Sequence, residues 1–314
     1  MSERFDPALL WTFGGIVAFL ATASLVGFVL ARAVRSASGR ATVANLNARV
    51  GAWWVMVAVV ALALAAGKKG AVILFGLLSF LALREFITLT PTRRGDHATL
   101  FWSFFIILPL QYWLVAIGWY GLFSILIPVY AFLFVPIRSA LAGDTERFLE
   151  RTAKIQWGLM IAVYCVSHAP ALLTLDIAGF EGKGARLLLF LIVVVQMSDV
   201  FQYVWGKLLG RHKIAPLVSP NKTWEGFGGG ALTATALGTA LYRLTPYSPR
   251  QAAAMSLVVV LMGFAGGLTM SAIKRDRGVK DYGELIPGHG GILDRIDSLC
   301  FAAPVLFHAT RYFF

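Results

Sequence analysis

The chain has 314 residues, 58% of them hydrophobic and only 14% charged, with a formal net charge of +12. That composition is far too apolar for a soluble domain and marks an integral membrane protein. Its basic residues are scattered between apolar segments, which argues against nucleic acid and for anionic lipid headgroups and a polyphosphate as partners.

Apolar runs long enough to span or nearly span a bilayer fall at about residues 8–31, 50–66, 71–89, 99–117 and 119–137. Others follow at about 155–175, 186–205, 227–244, 252–273 and 299–314, the last short enough to be a tilted or partial span. The pattern predicts an all-α polytopic membrane protein of nine or ten transmembrane helices. Residues 1–98 read as an N-terminal helical group, 99–180 as a middle group, and 181–314 as the part carrying the chemistry. The first run is too long for a signal-peptide core and lacks a basic leader, so it is expected to stay as a helix. Cys165 and Cys300 lie inside apolar runs, where thiols act as small hydrophobes.

With the N-terminus outside, the inner loops near 32–49, 84–97, 138–154, 206–225 and 274–298 hold 20 of the 28 Lys and Arg. The positive-inside rule selects this orientation. It puts the two most polar stretches on the cytoplasmic side, as expected of a multi-pass protein of the cell inner (cytoplasmic) membrane. Asp144, Glu146 and Glu150 in the third inner loop read as a solvated, partly paired surface.

The first polar stretch is Ser198 to Gly230. Asp199 lies in or at the edge of an apolar run, where an ionisable side chain is a functional candidate by default. The plainer alternative is a carboxylate paired with a base such as Lys207. In Ser219-Pro220-Asn221-Lys222-Thr223, Lys222 offers phosphate a point charge and the hydroxyls offer oxygen ligands or donors. Gly228, Gly229 and Gly230 read as a close helix-packing face.

The second stretch, Ser271 to Asp297, carries ten charged side chains. Lys274, Arg275, Arg277 and Lys280 come first, suited to phosphate oxygens. Gly288, Gly290 and Gly291 allow close backbone approach to a ligand. Asp294 and Asp297 share one face if Ile292 onward is helical, and two such carboxylates suit Mg²⁺.

This stretch resembles the signature of the phosphatidate cytidylyltransferase (CDP-diacylglycerol synthase) family. The matching elements are Ser271, Lys274-Arg275, Lys280-Asp281, His289-Gly290-Gly291 and Asp294-Arg295-Ile296-Asp297. The stretch around Ser219 resembles the same family's Ser-Pro-x-Lys-Thr motif, with Asn221 where many members carry Gly.

The resemblance implies transfer of a cytidylyl group from CTP to phosphatidate, giving CDP-diacylglycerol and pyrophosphate. It implies Mg²⁺ held by Asp199, Asp294 and Asp297, with a second, monovalent cation and a homodimer as further expectations. Lys274, Arg275, Lys280, Asp281, His289 and Arg295 would form the catalytic set, His289 serving as acid or base or as a phosphate ligand. Ser219, Asn221, Lys222, Thr223, Gly290 and Gly291 would bind substrate.

One departure stands out. Gly267 occupies a position where the family commonly has an Asp that contributes to the metal site, and Met270 replaces a frequent Glu. Two alternatives follow: a relative without turnover that binds lipid or a partner protein, and a CTP-dependent lipid kinase.

Overall fold

The computed structural model describes residues 6–285 and 290–314. His289 and Gly288 therefore lie outside the described residues. Among the described residues, ten long helical segments account for the ten apolar runs. They are α1 (Pro7–Ala33), α2 (Ala37–Ala65), α3 (Gly67–Thr88), α4 (Arg94–Ile117), α5 (Tyr120–Ala140), α6 (Phe148–Thr174) and α7 (Gly184–Leu209). After a β1–β2 hairpin come α8 (Trp224–Ala240), α9 (Pro249–Asp276) and α10 (Leu293–Phe313). All but α8 and α10 are long and apolar enough to cross a membrane by length and composition, so the chain is a multi-pass α-helical membrane protein.

Three boundaries differ from the sequence reading. The expected loop at 32–49 is mostly helix. Ser36 caps α2 by accepting from the Gly39 N–H, and only residues 34–36 separate α1 from α2. The polar residues of 37–49 continue a helix that the apolar run only joins later. The last helix starts at Leu293, early enough to take Asp294 and Asp297 onto its first two turns. The Ser219 motif is no irregular loop: Ser219–Thr223 forms β2, antiparallel to β1 (Lys213–Ala215).

The core gathers around α10 and α7. Leu187 to Leu191 of α7 and Leu299, Cys300, Ala302, Ala303, Leu306 and Phe307 of α10 are all buried. α7 and α8 meet closely through glycine. A Cβ on Gly229 would strike the Trp205 ring, and one on Gly226 would come within 2.9 Å of the Gly206 Cα. Gly229 and Gly230 thus form the expected packing face, whereas Gly228 faces open space.

The segments between α3 and α4, α5 and α6, α7 and α8, and α9 and α10 lie at one end of the bundle, here the signature end. Arg93 bridges Asp144 and Glu146 there. Glu146 and Glu150, 60% and 38% exposed, form the expected solvated and partly paired surface, while Asp144 reaches inward with Asp96 to hold the buried Arg151.

α1 and α2 form a hairpin tied within itself by Trp54 donating to Ser24 at 3.1 Å. At the opposite end, Asp6 caps α1 and pairs with Arg186 at the start of α7, with one contact at 2.7 Å.

Candidate active site

The first N–H groups of a helix have no partner within it. At α10 they are met by Glu85, near the end of α3, whose two oxygens accept from Ile292 N–H at 2.9 Å and Leu293 N–H at 2.8 Å. A carboxylate is also the charge that a helix N-terminus favours. Gly291 makes room for it, since a Cβ there would lie 2.6 Å from the Glu85 carboxyl carbon.

Asp294 comes next. Its Oδ1 accepts from Lys274 at 2.7 Å, and its Oδ2 accepts from Tyr282 N–H at 2.7 Å and Gly291 N–H at 3.0 Å. The side chain is almost wholly buried. It therefore fastens the end of α9, the connecting loop and the start of α10 together. Gly290 turns the chain with φ +82°, and a Cβ there would sit 2.8 Å from Asp294 Oδ2. The two signature glycines thus first allow the backbone to approach carboxylates of the protein itself. Tyr282 completes the tie by donating its hydroxyl to the Met270 carbonyl at 3.0 Å. Burial pushes its phenol far up, so it stays protonated as that donor.

Asp297 lies one turn further along α10. Its Oδ1 accepts from Ser298 N–H at 2.7 Å, while the Ser298 hydroxyl donates to Asp199 Oδ2 at 2.9 Å and lies 3.4 Å from Asp297 Oδ1. Carboxylates from α7 and α10 therefore meet across one hydroxyl.

Lys222 faces the same place from β2. Its Nζ lies 3.0 Å from where a Cβ on Gly267 would be, and that Cβ would lie 3.9 Å from Asp297 Oδ2. The glycine leaves the space that the ammonium enters. Lys222 also sits over the Phe264 ring, 4.6 Å from its centroid. Burial lowers the Lys222 pKa, while the charges of Asp199 and Asp297 hold it up.

The other predicted residues lie around this centre. Arg275 donates to the Val218 and Val279 carbonyls at 3.3 and 3.0 Å, fixing the β-hairpin and the loop after α9. Thr223 caps α8 by accepting from Gly226 N–H at 3.1 Å. Asn221, Lys280 and Asp281 are exposed, and Ser219 is half-buried. The Arg295 Nε is buried and has no hydrogen-bond partner among the described residues.

Among the described residues, no three His, Cys, Asp or Glu side chains could hold one metal ion together. Of the three expected ligands, Asp199 and Asp297 come together. Asp294 stands apart with both oxygens engaged. Two carboxylates with other positions left to water and phosphate fit Mg²⁺, which commonly keeps several waters. Glu85 and Ser298 were missed from sequence. A lone acid ending an apolar helix, and a hydroxyl beside Asp297, were the signals available.

A profile described as the Cytidylyltransferase family matches residues 47–313. A protein of Escherichia coli (strain K12) called Uncharacterized protein YnbB is 40% identical over 299 residues, covering 95% of this chain and 96% of that protein. A Phosphatidate cytidylyltransferase of Staphylococcus epidermidis is 40% identical over 128 residues, and one from Staphylococcus aureus (strain COL) is 38% identical over 128. In both cases the match covers 40% of this chain and 49% of the relative, so the chain spans about half the length of those two.

Proposed function

The chain belongs to the cytidylyltransferase family, and on that premise we propose that it transfers a cytidylyl group from CTP to phosphatidate at the cytoplasmic face of the inner membrane. The observation that carries this reading is the meeting of Asp199 and Asp297 across Ser298, with the Lys222 ammonium beside them.

In the reaction, a phosphate oxygen of phosphatidate forms a bond to the α-phosphorus of CTP. The bond from that phosphorus to the oxygen bridging to the β-phosphorus breaks, and pyrophosphate leaves with the electron pair. The nucleophile is already anionic, so no strong base is needed. The obstacle is repulsion between two polyanions, and fixed positive charge in a site of low dielectric lowers it. Lys222 supplies such a charge directly. Lys274, neutralised in part by Asp294, gives a second one at the end of α9. Asp199 and Asp297 would hold Mg²⁺, which would supply charge neutralisation to the phosphates. Asp294 and Glu85 act earlier, by fixing where α10 begins and so where Asp297 stands.

Gly267 favours a second reading, a family relative that binds lipid without turnover. Both are tested by supplying the purified full chain in vesicles with Mg²⁺, CTP and phosphatidate. Pyrophosphate release is the expected result, and CDP release would indicate a lipid kinase. Release of neither, with activity gained in Gly267→Asp, would establish the second reading.

A further inference from the structure

A cavity of about 860 Å³ lies between the α1–α2 hairpin and the helices that bear the site. Trp11, Ile16 and Phe19 of α1 and Ala52, Trp53 and Met56 of α2 form its outer wall. Leu189 and Ile192 of α7, Leu237 of α8 and Leu299 of α10 face them from the other side. It runs from Leu285 and Arg295 at the signature end to Trp11 and Leu241 at the other.

The wall is apolar along this depth except for Thr12 and Gln196, and the one charged side chain among its described lining residues is Arg295. Its Nε is buried without a partner among the described residues, and it precedes Asp297 by two residues. Charge at one end and hydrocarbon surface along the rest match an amphiphile with an anionic head. A transmembrane partner helix would leave that guanidinium facing hydrocarbon. At about 30 Å³ per methylene-sized unit, close to the share of a water molecule in the liquid, the volume takes about thirty units, the size of two mid-length acyl chains.

We infer that this cavity is the acyl-chain chamber for a diacyl lipid phosphate, and that the α1–α2 hairpin sets chain-length preference. The inference rests on the proposed reaction for its headgroup, but not for its chains. α1 precedes residues 47–313 matched by the family profile, so its half of this wall lies outside the family's matched region, whereas the α2 lining residues lie within it. The wall's residues make no hydrogen bond to the carboxylate pair, so changes in the wall test chain fit apart from the chemistry.

Tryptophan at Gly15 or Ala52 would fill the chamber. Gly15 has no atom within 4 Å of an added Cβ, so the change starts in open space. Leu25→Trp, at a residue 62% exposed and outside the lining, is the control. We expect Gly15→Trp and Ala52→Trp to lower kcat/KM for dioleoyl phosphatidate about tenfold relative to dioctanoyl phosphatidate, the scale that one or two misfitted methylenes can impose. Leu25→Trp should leave the ratio unchanged. An unchanged ratio in filled variants that still turn over would overturn the inference.

A second measurement needs no variant. Phosphatidate with a photoactivatable acyl chain, bound to the unaltered full chain without CTP, should label peptides of α1 and α2. Excess phosphatidate should compete and phosphatidylcholine should not. Labelling elsewhere, equal competition by phosphatidylcholine, or a crosslink between two copies across this cavity would each refute it. Labelling in the chamber of a protein that releases no pyrophosphate once CTP and Mg²⁺ are supplied would sink the reaction and leave the chamber standing.

Discussion

At its first turns α10 holds Asp294, Arg295 and Asp297, and near its last it holds His308 and Arg311, yet the two ends handle polar groups in opposite ways. At the far end the hydrogen bonds around two histidines close into a chain, although nearby Gln111, which donates to the Phe123 carbonyl and Ser167, keeps a buried Oε1 without a partner among the described residues. His168 donates from Nδ1 to the Tyr164 carbonyl at 2.8 Å and faces His308 Nε2 at 3.2 Å. His308 Nδ1 faces the Tyr120 hydroxyl at 3.5 Å, and the Arg311 guanidinium lies 3.8 Å from the Tyr120 ring centroid. With both imidazoles neutral, each ring nitrogen has a role. At the signature end, by contrast, one hydroxyl serves two carboxylates, the Arg295 Nε has no partner among the described residues, and Lys222 forms no salt bridge with either acid. A satisfied network stabilises a fold. An incomplete one made of charged groups holds capacity for an ionic ligand, and the ends differ in that the group left over is a guanidinium at the signature end and a neutral amide at the other.

The contrast can be broken from either side. The largest effect is expected for Asp297→Asn, which keeps the shape and removes charge. Pyrophosphate release should fall by about three orders of magnitude, the scale of losing an electrostatic element of a transition-state site. Thermal unfolding in detergent should hardly change, because a like charge near Asp199 is also removed. Equal activity in the variant would remove Asp297 from the chemistry.

Glu85→Ala comes next. It strips two buried N–H groups of their acceptor, so stability should drop by about 2 to 3 kcal/mol. Activity should fall with it, as Asp297 loses its fixed position. Glu85→Gln keeps one acceptor oxygen and should lose less. A Glu85→Ala protein of unchanged melting temperature would show that the cap is dispensable.

His168→Phe probes the closed end. Loss of its hydrogen bonds should cost about 1 to 2 kcal/mol of stability, measured by the same melts, with kcat unchanged. A large fall in kcat at native stability would erase the distinction between the ends.

Gly267→Ala should have the smallest effect. The new methyl would sit 3.0 Å from the Lys222 ammonium, the end of a flexible side chain. The expected outcome is a few-fold loss of kcat/KM for CTP, about 1 kcal/mol by rate, with no change in melting. An increase would mean that Lys222 obstructs the site in the unaltered chain.

Much of this architecture could be read from the chain because bilayer thickness imposes a length on apolar runs, and all ten runs became helices. What escaped was polar or distant. The residues of 37–49 look like a loop because periodic apolarity is absent, yet Ser36 caps them into a helix. Asp199, Asp297 and Lys222 were legible as ionisable side chains in costly surroundings. Their arrangement was not, because Gly267 matters through an ammonium supplied by a strand 45 positions earlier in the chain. Glu85 was hidden for the same reason, since its partners lie 207 and 208 residues away. The glycines beside His289 suggested a ligand cradle, whereas Gly290 and Gly291 first clear space for two carboxylates of the protein.

The ion pair between Asp6 and Arg186 joins positions 180 apart. During synthesis the first helix must therefore wait in the bilayer, without its anchor, until the seventh has left the ribosome. Native lipids would occupy the gap during that delay. Closure around them would make the newly made protein already loaded with hydrocarbon, with exchange rather than first filling as the event that each later cycle requires.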